Sequence, residues 1–135
     1  MKEVGVEWRI RAIRGAITVS ENTVEAMREA VMEMLDELEL RNQLAPTNII
    51  SVTFTVTRDL NAIFPAAIAR QRPLWDHVPM LDVQQMHVEG SLERCIRLLV
   101  HANLPASHVY IWHPYLRAAK SLRPDWSLPQ HSVLR

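Results

Sequence analysis

The sequence predicts a mixed α/β, or α+β, fold: a single domain built on one mixed sheet with helices on one face. Three observations predict it. Segments of period-two apolar alternation, at 8–19 and 50–57, alternate with segments of three-and-four periodicity. The 135 residues are 48% hydrophobic and only 22% charged, which suits a packed core and excludes a disordered chain. No repeat, low-complexity stretch or linker divides residues 1–135. A chain of this length buries roughly two-thirds of its unfolded surface.

In the first segment Trp8, Ile10 and Ala12 alternate with Arg9 and Arg11, the pattern of a half-buried strand. Gly15 interrupts it and marks a bulge or a close backbone approach. Ser20 or Asn22 is placed to cap the helix that follows. Along that helix Val24, Met27, Val31, Met34, Leu35 and Leu38 form an amphipathic stripe. Pro46 to Asn48 is a turn. Ile50, Val52, Phe54 and Val56 then alternate with Ser51, Thr53, Thr55 and Thr57, the clearest strand in the chain. After a loop at 58–63, Phe64 to Gln71 reads as a short helix ended by Pro73, and Val78 to Val83 as a strand. Gly90 and Ser91 precede a second long helix, expected from Leu92 to about Asn103. Its core face is Leu92, Cys95, Ile96, Leu99 and Ala102. His108 to Leu116 reads as a further strand, and 129–135 as a mobile tail. A small sheet of this kind leaves a face or its edges open, which oligomerisation covers.

Charge and composition remove several functions. Lys plus Arg and Asp plus Glu are 15 each, so no cationic excess exists to displace counterions and no nucleic-acid partner is expected. No signal-peptide core and no apolar run near the roughly 20 residues of a bilayer span occur, so a cytoplasmic protein with no membrane partner is expected. Cys95 stands alone, cannot form an intramolecular disulfide, and reads as a small core residue on the inner face of the second helix. The six His residues form no HExxH pair and no Cys-x-x-Cys exists, so no metal site is expected. Three glycines cannot build a phosphate cradle, and no G-x-S-x-G elbow supports a nucleophile. What remains is arginine, which supplies 13 of the 15 cations. Arg holds planar oxyanions through two parallel hydrogen bonds, although codon bias or thermal adaptation accounts for such a skew as well. Position is more informative. Arg14 precedes Gly15, Arg70 follows Phe64-Pro65, Arg97 lies in the second predicted helix, and Arg123 precedes Pro124.

Four segments carry a resemblance. They are Arg11-Ala-Ile-Arg-Gly-Ala-Ile-Thr-Val19, Asp59-Leu-Asn-Ala-Ile-Phe-Pro-Ala66, Val78-Pro-Met-Leu-Asp-Val-Gln-Gln-Met86 running into Gly90-Ser-Leu-Glu-Arg-Cys-Ile-Arg97, and Leu122-Arg-Pro-Asp125. In order and spacing, over about residues 8–128, they resemble the AroH class of chorismate mutase. The resemblance implies a homotrimer forming a pseudo-α/β-barrel. It also implies the Claisen rearrangement of chorismate to prephenate on the route to aromatic amino acids. That reaction needs no cofactor: it needs a dianion held in a reactive conformer, with positive charge where the ether bond breaks.

By the same resemblance Arg14 binds a substrate carboxylate, Arg97 reaches the ether oxygen and a carboxylate, and the Tyr115 hydroxyl bonds a carboxylate. Phe64 and Leu122 are apolar walls, Leu81 lies beside the substrate, and Arg70 and Arg123 support the mouth of the site. Duller readings stand beside these. Arg97 is four residues after Glu93 and fits a solvated helix pair. Arg14 fits an outward strand residue, and Tyr115 a core residue. The sequence also departs from the family at three places. Gln85 stands where a glutamate is expected, Asp82 where a cysteine is expected, and Ala67 where a lysine is expected. Asp82 and Gln85 then read as an exchanged pair, with a cap or turn role for Asp82 as the alternative. The competing functions are a trimeric imine deaminase of the Rid type, or a small-molecule-binding protein, and a regulatory subunit that has lost turnover.

Overall fold

A computed structural model describes residues 5–127. Strand β1 (Trp8–Thr18) leads into helix α1 (Val24–Asn42), and one 3₁₀ turn (Pro46–Asn48) leads into β2 (Ile49–Val56). Helix α2 (Pro65–Ala69), β3 (Met80–Gln84), β4 (Cys95–Pro105), β5 (Tyr115–Leu116) and a 3₁₀ helix (Arg117–Leu122) complete the chain. The five strands form one sheet in the order β3-β2-β4-β1-β5. β4 is antiparallel to both its neighbours, whereas β2–β3 and β1–β5 are parallel, so the sheet is mixed as expected.

Alternation sorts the strands into two faces. Ile13 and Ile17 of β1, Val52 and Phe54 of β2, and Ile96, Leu98, Val100, Ala102 and Leu104 of β4 enter one core. Met27, Ala30, Val31, Met34, Leu35 and Leu38 of α1 and Ile68 of α2 cover them. Thr23, not Ser20 or Asn22, caps α1, its Oγ1 accepting from Ala26 N–H at 3.1 Å. Asn22 instead binds the loop after β2, its Oδ1 accepting from the Asn61 and Ala62 N–H groups. Arg72 donates to Glu39 and to Asp36 (2.9 Å), and Trp75 Nε1 donates to Glu39 (3.1 Å), which ties the α2–β3 connection to α1.

The main correction is at residues 92–103. The expected second helix is the strand β4, in the centre of the sheet. Ile96, Leu98, Val100, Ala102 and Leu104 match period two as well as the helical set matches three and four, and pairing on both edges decides for the strand. Gly90 sits at φ +82° in a turn closed by the Ser91 N–H on Val88 O, so it begins no helix. Cys95 is core as expected, but on a strand. The strand expected over His108–Leu116 shrinks to Tyr115–Leu116, because Pro114 breaks the ladder just before it. The short helix expected at 64–71 and the strand expected at 78–83 hold with shifted ends, α2 covering 65–69 and β3 covering 80–84.

In β1 the apolar set Ile10 and Ala12 faces away from the core, Ile10 being 65% exposed, while Arg11 shares the helix-side parity of Ile13. The open face is therefore partly apolar. Gly15 is a close approach: a Cβ there would lie 2.9 Å from both Cγ and the carbonyl oxygen of Pro114. That contact lets β5 lie against β1, with Ala16 N–H donating to Pro114 O at 3.0 Å. The tail expected at 129–135 lies outside the described residues.

Candidate active site

The register lines up five residues across the open face. Tyr115 of β5 pairs with Ala16 of β1, Ala16 with Arg97 of β4, Arg97 with Thr55 of β2, and Thr55 with Val83 of β3. At about 4.8 Å per strand, the Arg97 and Tyr115 backbones are roughly 10 Å apart. Gln85 follows β3, its N–H donating to Val56 O at 2.8 Å, and alternation carries it to the face of Val83. Arg14, two residues before Ala16, faces the same side, opposite Leu99.

Four polar atoms of this group are buried and lack a hydrogen-bond partner among the described residues: Thr55 Oγ1, Gln85 Oε1, Arg97 Nε and Tyr115 Oη. A buried polar atom left unpaired costs about 1–3 kcal/mol, so native proteins rarely tolerate several side by side. Their gathering on one face makes that face the candidate site. The Arg97 guanidinium lies beside the Cys95 thiol. Burial raises the thiol pKa, and the neighbouring cation works against that rise.

A second apolar cluster roofs one end of this row. It joins Ala16, Cys95, Tyr115 and Ala119, with Leu92, Leu122 and Trp126 packed on it. The Trp126 ring meets Tyr115 edge-on, with centroids 5.7 Å apart, and stacks on His113 at 3.8 Å. Arg123 lies over Trp126, its Cζ 3.3 Å from the ring centroid, and pairs with Asp125 at 2.8 Å. Leu122 and Arg123 thus sit beside Tyr115 and Trp126.

Phe64, Arg70 and Asp82 are elsewhere. Asp82 pairs with Phe54 and shares its helix-side face. Its Oδ1 accepts from Ala66 N–H at 3.0 Å, at the start of α2. Burial raises its pKa, and the Ala66 N–H and the Arg70 charge oppose the rise. Phe64 is the residue before α2 and is 70% exposed. It lines a groove of about 550 Å³ with Pro65, Asp82 and Val83. Leu81, 59% exposed, shares the open face with Thr53 on the edge strand. The pairing of Asp82 with Gln85 is therefore corrected within one chain. A spacing of three on a strand puts the two side chains on opposite faces, and Asp82 acts there as the cap of α2. The Arg97–Glu93 helix pair is likewise absent, since Glu93 lies against Arg94 at 3.8 Å.

His113, Trp126 and Thr55 belong to the neighbourhood, and the motif reading did not single them out. The available signal was sequence adjacency: His113 lies two residues before Tyr115, and Trp126 directly follows Leu122-Arg-Pro-Asp125. Among the described residues, no group of three or more His, Cys, Asp or Glu side chains could hold a metal ion. No helix there is long and apolar enough to cross a membrane.

Residues 10–126 match the family model described as chorismate mutase type I. The chain is 34% identical over 125 residues to the chorismate mutase AroH of Bacillus subtilis, covering 93% of this chain and 98% of that protein. It is 44% identical over 117 residues to the chorismate mutase AroH of Thermus thermophilus, covering 86% and 95%. A solved chorismate mutase from Clostridium thermocellum superposes with a TM-score of 0.75 at 40% identity, covering 82% of this chain and 98% of that one. These matches give no support to an imine deaminase.

Proposed function

The chain belongs to the chorismate mutase type I family and is an isomerase that converts chorismate to prephenate, and we propose that the open-face row of unpaired polar atoms performs the rearrangement. Chorismate carries two carboxylates, a hydroxyl and an ether oxygen. The ether oxygen gains negative charge as its bond to the ring breaks. Arg97 is the group that answers this charge, because its buried Nε waits for an acceptor and its position between Ala16 and Thr55 is fixed by strands on both sides. A charge in place before the reaction costs no reorganisation during it. Tyr115 donates its hydroxyl to one carboxylate and Arg14 binds the other. Holding both ends selects the folded conformer in which the new carbon–carbon bond forms. Gln85 accepts from the substrate hydroxyl through its amide oxygen, and Leu122 and Arg123 close the Tyr115 side. No cofactor is needed, since bonds form and break within one molecule.

The remaining expected residues require a second chain. Phe64, Arg70, Leu81 and Asp82 lie around the α2–β3 edge, at the opposite end of the sheet from Tyr115. The exposed apolar side chains Leu81, Val83 and Leu99 leave the open face uncovered. A homotrimer joins the edge of one chain to the open face of the next, which completes the site and buries those side chains. The reading places the enzyme in the cytoplasm, where a buried free thiol such as Cys95 persists.

The observation that carries this reading is the placement of Arg97 Nε, Tyr115 Oη and Gln85 Oε1, buried and without hydrogen-bond partners among the described residues, on one face of the sheet. The test is loss of chorismate absorbance with the wild type and Arg97→Ala. Loss of a preorganised donor of this kind costs about 3–4 kcal/mol, or a 10²- to 10³-fold fall in kcat. An Arg97→Ala protein that turns over at the wild-type rate removes Arg97 from the chemistry. Light scattering in solution checks the trimer, and a monomer of full activity would rule it out.

A further inference from the structure

Arg14 donates its backbone N–H outward from β1, towards the side where β5 runs. β5 begins only at Tyr115, so the ladder offers Arg14 no strand partner there. The ring of His113 fills the gap: its Nδ1 accepts from Arg14 N–H at 3.0 Å. This bond requires a neutral ring with its proton on Nε2. The ring also stacks on Trp126 with an interplanar angle of 23°. Trp126 in turn carries Arg123 over its ring and meets the Tyr115 edge. One imidazole therefore touches both the strand that presents Arg14 and the segment that covers Tyr115.

We propose that His113 is a positioning residue for the rearrangement, holding the Arg14 backbone and the Trp126 indole so that Arg14, Tyr115 and Arg123 keep one mutual geometry. The inference rests on the reading of Arg14 and Tyr115 as substrate-binding residues. The surroundings keep the ring neutral. Burial, with the charges of Arg123, Arg14 and Arg11, lowers its pKa to about 4, and the Arg14 N–H received at Nδ1 needs that neutral form. Glu37 and Arg41 of α1 and Lys120 of the 3₁₀ helix line the same groove.

Two substitutions separate the two contacts. His113→Asn places an amide oxygen near Nδ1 and keeps the acceptor, whereas His113→Phe keeps a ring for stacking and removes the acceptor. Steady-state kinetics with chorismate are measured for both, with Arg14→Ala alongside. His113→Phe is expected to raise KM about tenfold with kcat within threefold of wild type, and His113→Asn to bring KM back to within threefold. Two results overturn the proposal: wild-type KM in His113→Phe, or His113→Asn no better than His113→Phe. A wild-type KM in Arg14→Ala removes the underlying site reading instead. A raised KM in Arg14→Ala beside a wild-type KM in His113→Phe removes His113 alone. NMR titration of the wild-type His113 ring needs no folded variant. A midpoint near 4 is expected, moving up in Trp126→Ala, and a midpoint near 6.5 would show that the ring is not held.

Discussion

Replacing Gly15 with alanine tests whether one missing side chain sets the position of Tyr115. The new Cβ would meet Pro114 Cγ and O at 2.9 Å and Cδ at 3.3 Å. Ordinary carbon contacts begin near 3.5 Å, so Pro114 must retreat by roughly half an ångström. Its carbonyl holds Ala16 N–H, and Tyr115 is the next residue. Overpacking of this kind costs about 1–3 kcal/mol. Against it stands the entropy lost by the unfolded chain when glycine becomes alanine, worth about 0.4–1 kcal/mol where φ is compatible. The backbone at Gly15 is not in the positive-φ region, so that gain applies in full. The net is a loss of about 0–2.6 kcal/mol, centred on ~1.3, or a fall in Tm of roughly 5 °C for a chain of this size. Because misplacing a binding group by 1 Å costs about 10²-fold, the smaller shift of Tyr115 should lower kcat/KM about tenfold. Thermal unfolding followed by circular dichroism at fixed protein concentration, with chorismate kinetics on the same samples, measures both. A higher Tm in Gly15→Ala would refute the reasoning, since it would show that Pro114 yields freely and the entropy gain prevails.

Tyr115→Phe leaves the second apolar cluster intact and removes only the unpaired hydroxyl. It should keep the wild-type Tm within about 2 °C and lower kcat/KM about tenfold, the worth of one hydrogen bond to a charged group, and kinetics with chorismate decide it. Asp59 accepts from Thr57 Oγ1 and from Arg94 N–H at 3.0 and 3.2 Å, at the entry to β4. Burial opposes its ionisation, but these hydrogen bonds prevail and lower its pKa below 3.8. Its contribution is therefore complete above pH 3.8 and is lost as pH falls through the lower folded value; Asp59→Ala should be less stable in urea at pH 7 and should lose that acid limb. Asp82→Ala frees the α2 N-terminus and should lower the urea midpoint at pH 7, whereas Gln85→Ala should raise KM for chorismate without moving the midpoint. Equal shifts in both readouts for the two variants would contradict their placement on opposite faces.

β2 and α1 were legible because each has one buried face and one wet face, so a single period shows in the sequence. β2 is the clearest instance, with its threonines on the open side. β4 was not legible for the opposite reason. It is the central strand, with β1 and β2 on its two edges, and Cys95 and Leu99 add apolar residues to its open face. A strand with apolar residues on both faces, here Cys95 and Leu99 opposite Ile96 and Leu98, satisfies a helical template as well as its own. That ambiguity decides the meaning of Arg97. On a helix it has Glu93 as a neighbour, whereas on β4 it stands in the row of Tyr115 and Thr55. His113 and Trp126 were invisible for another reason: their contact joins irregular segments, where no period predicts which side chains meet.

The neutral net charge conceals the same division. Arg9, Arg41, Arg72, Arg94, Arg117 and Arg123 each lie within 4 Å of a carboxylate. Arg14 and Arg97 have no such partner among the described residues, and both face the open side. Arg11, Arg28, Arg58 and Arg70 also lack a carboxylate within 4 Å among the described residues, but they sit on the helix side of β1, on α1, in the loop after β2 and at the end of α2. Equal totals of acid and base thus coexist with a local excess of positive charge, because most of the acids are committed to other arginines. On the proposed reading the excess lies where the substrate's carboxylates bind. A carboxylate introduced there, as in Leu99→Asp between Arg14 and Thr53, should pair with Arg14 and raise KM for chorismate, whereas Leu99→Asn of the same shape should raise it much less. Equal effects of the two would mean that bulk and apolar contact, not charge, govern capture at this face.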